Sequence, residues 1–153
     1  MIRPNAKAQA IIDSIDYMAI ATVSEEGQPW NTPVAGYRDD DFNFYWASWT
    51  ENQHSKNIRS NSKVFIVFYD STPSTGPSDG IYIQAEAQEL INENEVMQAA
   101  LVFGDDPYNP SDGNEYLGNK PRRIYKAVPK SIWTNCDSEI NGNFVDKRTG
   151  AEA

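Results

Sequence analysis

Short runs of alternating apolar and polar residues recur along most of the chain, which is the pattern of β-strands with one buried face. The run over residues 64–69 is apolar throughout and indicates a strand that is buried on both faces. Pro33 lies inside another run and predicts an edge strand or a bulge, because proline cannot donate a hydrogen bond to a neighbouring strand. The predicted strands cover residues 17–24, 30–38, 42–48, 63–70, 81–91, 122–128 and 131–135.

Other segments have apolar residues at helical spacing and predict short helices. Thr50, with Gln53 three places later, has the form of a capping box and places a helix start at residue 51. Gly104 is a typical residue for ending the last helix. The predicted helices cover residues 4–15, 51–61 and 92–104, and the predicted loops cover residues 71–80 and 105–118.

The order of these elements favours a mostly β fold of the α+β class. Neighbouring strands are joined by tight turns, which require antiparallel pairing. Six or seven strands with short helices over the ends predict a small closed or nearly closed antiparallel β-barrel. The 153 residues contain no linker or low-complexity tract, so we expect one domain over residues 1–153. Its core is predicted over about residues 4–135, and residues 141–153 are predicted to form a polar C-terminal tail.

Charge and composition argue against several kinds of partner. The chain has 22 acidic and 13 basic residues, a formal net charge of −9, whereas nucleic acids bind basic surfaces. Cys136 is the single cysteine and His54 the single histidine, so we expect no intramolecular disulfide and no metal site. There is no signal-peptide pattern and no apolar run of membrane length. The simplest interpretation is a cytoplasmic protein without a membrane partner.

One stretch departs from this acidic balance. This stretch is SWTENQHSKNIRSN, residues 48–61. Within it and just beyond it, ten consecutive positions contain four basic residues: His54, Lys56, Arg59 and Lys63. A helix N-terminus presents unpaired amides and a partial positive charge, so hydroxyls and cations around it are typical of a phosphate site. The alternative is a capped surface helix whose cations balance the acidic remainder of the chain.

Several motifs together resemble one known family. The segment IATVSEEGQPWNTPV is followed by FYWAS, then by HSKNIRSNSKVFIVFY and IQAEAQEL, and the similarity resumes more weakly at RRIYKAVPKSIWTN. In this order they resemble the flavin-binding split-barrel family related to pyridoxamine 5'-phosphate oxidase. The resemblance implies a six-stranded antiparallel split β-barrel, a homodimer, and FMN held at the dimer interface.

The resemblance also implies which residues bind the flavin. Its phosphate-binding helix start falls on Gln53, His54, Ser55 and Lys56. The strand that lies along the isoalloxazine ring falls on Thr32, Pro33 and Val34. The positions near the ring and the ribityl chain fall on Trp46, Ala47 and Ser48. Trp133 stands where the C-terminal part of the fold reaches the flavin of the partner subunit.

The sequence departs in places from the oxidase that names the family. Thr32 stands where relatives of that oxidase place an arginine, so Lys56 or Arg59 would have to supply the missing phosphate contact. The oxidase binds its substrate phosphate with an Arg-x-His arrangement, and His54 is the sole histidine here, so oxidation of pyridoxine phosphate is not expected. The basic segment 120–130 has two interpretations. It contacts the cofactor or an anionic substrate across the subunit interface, or it is an exposed strand whose cations balance the acidic chain.

These observations predict an FMN-binding flavoprotein. The leading hypothesis is a small oxidoreductase that acts on an unidentified small-molecule substrate or electron donor. The flavin would carry the redox chemistry, so no catalytic side chain is assigned. A non-catalytic flavin-binding module, acting as a sensor, carrier or store, is the alternative. A third hypothesis is a relative on the same barrel that binds a deazaflavin or haem, with His54 as the candidate haem ligand.

Overall fold

The computed structural model describes residues 2–72 and 80–153, and these ranges contain three α-helices and eight β-strands. The helices are α1 (Ala6–Asp13), α2 (Gln53–Ser60) and α3 (Glu93–Ala100). The strands are β1 (Tyr17–Val23), β2 (Pro29–Ala35), β3 (Tyr37–Arg38), β4 (Phe44–Trp49), β5 (Lys63–Tyr69), β6 (Gly80–Glu89), β7 (Arg122–Ile140) and β8 (Asn143–Gly150). Two single turns of 3-10 helix, Leu101–Phe103 and Gly113–Tyr116, lie between α3 and β7. The loop predicted over residues 71–80 lies mostly outside the described residues.

The strands form one antiparallel sheet that curls into a barrel. Its order is β2-β1-β5-β6-β7-β4-β3, and β8 pairs with the second half of β7. The end strands β2 and β3 are consecutive in the chain, with only Gly36 between them, so the sheet returns to its starting point. A β-carbon on Gly36 would lie 3.0 Å from Sδ of Met18, so a larger residue would press on this buried side chain where the chain bends over the core. The predicted antiparallel split barrel is confirmed, and Pro33 lies on an edge strand that pairs with β1 alone.

Aliphatic side chains fill the interior of the barrel, because every second residue of each strand points inward. The largest fully buried aliphatic side chains of this cluster are Met18, Ile20, Ile66, Ile81, Ile83 and Ile132. Helix α2 covers one end of the barrel and adds Ile58 to the same cluster. A second cluster packs α3 against the outside of β4 and β7, and it includes Tyr45, Val96, Phe103, Tyr116 and Ile124.

Helix α2 begins two residues later than predicted. Asn52 is its N-cap residue, its side chain makes no capping hydrogen bond, and its amide donates to the carbonyl of Trp49 at 3.1 Å. The capping box predicted from Thr50 and Gln53 does not form, because Gln53 is already helical. Its Nε2 donates instead to Oδ1 of Asn57, one turn along the helix, at 2.8 Å. The predicted start was therefore wrong.

Strand β7 is a single element where two strands were predicted. Pro129 was expected to separate segments 122–128 and 131–135. The register between β6 and β7 shifts between Gln84 and Ala85, so Gln84 faces Ser131 while Ala85 faces Pro129. This irregularity accommodates the proline without ending the strand.

The C-terminal segment 141–153, predicted as a polar tail, instead forms β8 and rejoins the core. Side chains of β8 are almost all exposed, as their composition indicates, but its backbone pairs with β7 along its whole length. Ala151 is then fully buried, its amide donates to the carbonyl of Ile132 at 2.9 Å, and its carbonyl accepts from the amide of Asn5 at 2.7 Å. Backbone pairing needs no apolar side chains, so composition alone does not reveal this strand.

Candidate cofactor-binding groove

A groove opens where β2 and β4 diverge on either side of the bend at Gly36. Within the described sheet, β2 pairs with β1 and β3 pairs with β4, so β2 and β4 lie apart. The groove has a volume of about 420 Å³, which lies in the range of small-molecule sites in proteins. Its lining residues are Tyr17, Thr32, Pro33, Val34, Ala35, Ala47, Ser48, Trp49, Asn52, His54, Tyr108 and Arg122.

The start of α2 forms one end of the groove. Lys56 is the first residue of the helix whose amide donates within it, to the carbonyl of Asn52 at 3.0 Å. Helix geometry therefore leaves the amides of Gln53, His54 and Ser55 without an intrahelical acceptor. These amides, together with the helix dipole, place hydrogen-bond donors and a partial positive charge at this end.

The helix start is tied to the end of β4 by the carbonyl of Trp49. This carbonyl accepts the amide of Asn52 at 3.1 Å and the hydroxyl of Ser55 at 2.9 Å. Ser55 is fully buried, so its hydroxyl has a structural use here. The two bonds hold the helix amides in a set position relative to the groove.

His54 lies in the groove as a buried, neutral side chain. Its ring is 3% exposed, and Nε2 lies 2.8 Å from the hydroxyl oxygen of Ser48. Burial lowers the pKa of His54 below its usual value, because the charged ring would lose its hydration. The histidine is therefore a hydrogen-bonding group at neutral pH and adds no positive charge to the site.

The opposite wall of the groove carries a buried hydroxyl that has no partner. Oγ1 of Thr32 is buried and makes no hydrogen bond with any described residue. Buried hydroxyls are usually paired, because leaving one unpaired is energetically costly. A ligand with a polar edge in this groove would supply the missing partner.

The loop before β7 forms the outer rim. Tyr108 is 82% exposed, yet its loop is held in place by polar contacts on both sides. Arg122 donates to the carbonyl of Tyr108 at 2.8 Å and also to Oδ1 of Asn109. The carboxylate of Asp106 accepts the Tyr108 and Asn109 amides at 2.6 and 3.1 Å and the hydroxyl of Tyr37.

The match to known proteins now decides the family. A sequence model described as pyridoxamine 5'-phosphate oxidase matches residues 4–136. The chain belongs to this family. No curated protein matches the sequence.

Solved structures share the fold of this pyridoxamine 5'-phosphate oxidase family member at low sequence identity. The haem storage protein HutZ of Vibrio cholerae superposes with a TM-score of 0.69 at 14% identity, covering 85% of this chain and 93% of that one. A haem-binding protein of Mycobacterium smegmatis gives 0.66 at 15% identity, covering 99% and 60%. A candidate 5-nitroimidazole antibiotic resistance protein of Bacteroides thetaiotaomicron gives 0.67 at 15% identity, covering 88% and 84%. These similarities show the fold alone.

The groove brings together six of the residues that the resemblance to pyridoxamine 5'-phosphate oxidases assigned to flavin binding. They come from three separate elements, β2, β4 and α2, which supports a common site. These residues are Thr32, Pro33, Val34, Ala47, Ser48 and His54.

The other five assigned residues do not line the groove. Trp46 is fully buried in the core, where its ring stacks on Tyr125 with 5.5 Å between centroids. Trp133 lies on the outer face of the barrel, opposite Tyr82 of β6. Ser55 is buried behind the helix start, and Gln53 bonds along the helix.

Lys56, the cation expected to bind phosphate, is directed elsewhere. Its side chain is 47% exposed and pairs with Glu51 at 3.1 Å. Arg59, the second candidate, pairs with Glu89 at 3.1 Å and donates to the carbonyl of Thr50 at 2.9 Å. Neither side chain lines the groove of its own chain.

Several residues that line the groove were not assigned from the sequence. Asn52 and Trp49 lie close to the helix start predicted at residue 51, so the position of that start could have identified them. Arg122 belongs to the basic segment that had two open interpretations. Tyr108 lies in a predicted loop, and no sequence pattern marked it.

Two further structural facts concern the described residues as a whole. No group of three or more His, Cys, Asp or Glu side chains in residues 2–72 and 80–153 is placed to hold a metal ion. None of the helices in those ranges has the length and hydropathy required to cross a membrane.

Proposed function

We propose that this protein is an FMN-binding flavoprotein and that the groove between β2 and β4 holds the FMN. The observation that supports this most is the groove itself. It joins the β2 segment, the end of β4 and the start of α2, which are the elements that the family resemblance links to the flavin.

The residues present fit such a cofactor. Pro33, Val34 and Ala47 give a largely apolar wall for a planar ring, and Thr32 offers a buried hydroxyl that lacks a partner. Ser48 supplies a second hydroxyl, on β4 across the groove, where it is bonded to Nε2 of His54. The amides at the start of α2 suit a phosphate, because helix N-termini favour anions.

We further propose that the protein is an oxidoreductase that acts on a small-molecule substrate or electron donor. Bound FMN would supply hydride and single-electron chemistry. The chain would bind and orient the flavin, exclude water along the apolar wall, and keep His54 neutral as a fixed hydrogen-bonding group. A flavin-binding module without turnover is distinguished by bound flavin that no nicotinamide donor reduces.

A haem site at His54 is less well supported. The fold is shared with proteins named for haem storage and haem binding. Here Nε2 of His54 bonds Ser48, and the ring is 3% exposed. Iron ligation through this nitrogen would require breaking that bond and moving the ring.

We also propose that two copies form a homodimer through the outer face of β1, β5, β6 and β7. Tyr17 is 63% exposed there, and Phe65, Tyr82 and Trp133 lie partly exposed on the same face. The guanidinium of Arg148 stacks 3.8 Å from the Tyr82 ring centroid. Tyr17 also lines the groove, so a second copy on this face would border the bound cofactor.

The dimer is tested by sedimentation of Phe65→Asp, which places a charge on this face. We expect loss of the dimer together with weaker flavin binding. Leu101→Asp is the matched control, because Leu101 is 62% exposed and lies on the 3-10 turn after α3. A wild-type monomer that retains a full complement of flavin would contradict the proposed interface.

The cofactor is tested by the visible spectrum of the purified protein before and after incubation with FMN and removal of unbound ligand. We expect two flavin bands and, after denaturation, a released compound with the mass of FMN. A protein that retains no FMN, or one that shows a Soret band and binds haem instead, would overturn the proposal.

A further inference from the structure

The groove carries an arginine whose charge has no acidic partner. Arg122, the first residue of β7, lines the groove and is partly buried. Its two terminal nitrogens donate to the carbonyl of Tyr108 and to Oδ1 of Asn109, which are both neutral acceptors. Among the described residues, no carboxylate lies within ion-pair distance of it. The guanidinium also lies over the ring of Tyr116, 5.7 Å from its centroid, but this contact neutralises no charge, so the positive charge stays available to an anion.

The other basic side chains of this region do not supply a charge to the groove. Lys56 and Arg59 are paired with Glu51 and Glu89, each at 3.1 Å, and neither lines the groove. His54 lies inside the groove but is buried and neutral. Within the described chain, Arg122 is thus the one full positive charge in the lining.

The pairing of β4 with β7 places Arg122 next to the start of α2. Arg122 stands opposite Trp49 in the register, and the carbonyl of Trp49 accepts the bonds from Asn52 and Ser55 that fix the helix start. The amide of Thr50 also donates to the carbonyl of Pro121, at 3.0 Å. The backbone of Arg122 therefore lies at the α2 end of the groove, and its side chain extends from there to the Tyr108 loop on the rim.

We propose that Arg122 binds the phosphate of FMN in the groove of its own chain and thereby replaces the cation expected at Lys56. This inference rests on the proposed function. An arginine suits the task because its planar donor set matches phosphate oxygens and it stays charged at all working pH values. Arg122 also holds the Tyr108 loop, so its test must separate phosphate binding from loop support.

Riboflavin makes that separation, because it carries the same ring and ribityl chain without the phosphate. We would titrate FMN and riboflavin into the wild-type protein and into Arg122→Gln, following quenching of flavin fluorescence. The expected result is an FMN dissociation constant raised by about tenfold to a hundredfold, with riboflavin affinity unchanged within about twofold. Lys126→Gln is the matched control, since it removes another β7 cation that lies outside the groove.

Two other results would overturn the inference about Arg122 while the proposed function, FMN binding in the groove, still stands. Equal losses for both flavins would show that Arg122 acts by supporting the loop. A selective FMN loss in Lys56→Gln with none in Arg122→Gln would assign the phosphate to Lys56. If the wild-type protein binds neither flavin, the proposed function falls and this inference falls with it.

A second variant covers the case in which Arg122→Gln does not fold. Arg122→Lys keeps the charge but loses the two-pronged geometry, so FMN affinity should fall by a smaller factor and riboflavin affinity should stay constant. In addition, wild-type FMN affinity should fall more steeply with added salt than riboflavin affinity, because only FMN gains from the charge. Equal salt dependence for the two flavins would contradict the proposal.

Discussion

Nε2 of His54 lies 2.8 Å from Oγ of Ser48, across the gap between helix α2 and strand β4. Both side chains are buried, at 3% and 6% exposure. The contact joins the start of α2 to the end of β4 and fixes the orientation of the only imidazole in the sequence. The pair is buried, and among the described residues no carboxylate is bonded to the imidazole. Protonation of His54 therefore opposes folding.

The first prediction concerns the pH dependence of stability. The pKa of His54 is lowered in the folded state by burial, so the unfolded chain binds the proton more tightly. The free energy of unfolding should therefore fall as the pH drops below about 6.5, by at most about 1.4 kcal/mol per pH unit for one proton. Urea unfolding at intervals from pH 8 to pH 5 measures this slope.

The control for this prediction is His54→Gln, which keeps a polar side chain but removes the titration. Its unfolding free energy should be nearly flat over the same pH range. Carboxylates such as Asp106, whose pKa is lowered mainly by the hydrogen bond from Tyr37, titrate below this window and leave it undisturbed. Equal slopes in the wild type and the variant would contradict a buried, neutral His54.

The second prediction concerns a buried polar pair that anchors α2 to β1. Nδ2 of Asn57 donates to Oγ1 of Thr22 at 2.9 Å, and both residues are at most 2% exposed. Asn57→Ala should destabilise the fold by about 1–3 kcal/mol, because it leaves the Thr22 hydroxyl buried without its donor. A double-mutant cycle with Thr22→Ala, measured by chemical denaturation, isolates the pair. Strictly additive effects would show that the contact has no energetic weight.

The third prediction concerns the loop that carries Tyr108. The hydroxyl of Tyr37 donates to Asp106 and accepts from Asn109 at 2.9 Å, and burial together with Asp106 raises the pKa of Tyr37 to about 12. Tyr37→Phe should raise the pKa of Asp106 toward its usual value, since the largest lowering cause is removed. Carboxyl NMR titration checks the pKa. Hydrogen exchange at the amides of Tyr108 and Asn109 should also become faster, and unchanged exchange would mean that the loop does not depend on Tyr37.

The fourth prediction concerns the C-terminal segment. Ala151→Asp would bury a carboxylate at a fully buried position, so it should destabilise the protein by at least about 3 kcal/mol. Ala153→Asp is the matched control at an exposed position two residues away, and it should leave the midpoint of thermal unfolding nearly unchanged. Similar midpoints for the two variants would show that the segment does not pack as described.

Much of the fold was predictable because alternation of apolar and polar residues reports directly on strands with one buried face. Strand β1 and the edge position of Pro33 are examples, and both follow from rules that act within a few residues. The strand over residues 64–69 was located from its continuous apolar run, but the prediction that both of its faces are buried was wrong. Val64, Ile66 and Phe68 are buried on one face, whereas the other face is partly exposed and ends at Tyr69, which is 52% exposed. Strand β8 was missed because its side chains stay in water and only its backbone is paired. The helix start was misplaced because the carbonyl of Trp49, not a capping side chain, holds it.

The candidate site was predictable only in part for a related reason. His54 was found from the local cluster of cations and Thr32 from the family resemblance, but Arg122 reaches the groove through a strand register that joins residues more than seventy positions apart. No local pattern distinguishes Arg122 from Arg123, whose guanidinium instead bonds the carbonyl of Gly118. Long-range register therefore decides which cation of a basic segment lines the groove.

The length of β7 has a consequence for how the protein is made. Residues 122–127 pair with β4, residues 125–134 pair with β6, and residues 133–140 pair with β8. Synthesis proceeds from the N-terminus, so one edge of β4 and one edge of β6 stay unpaired until β7 leaves the ribosome. Contacts of such long sequence separation also slow folding. The nascent chain is thus an incomplete barrel for most of its synthesis, and its exposed strand edges are the point at which chaperones would be needed.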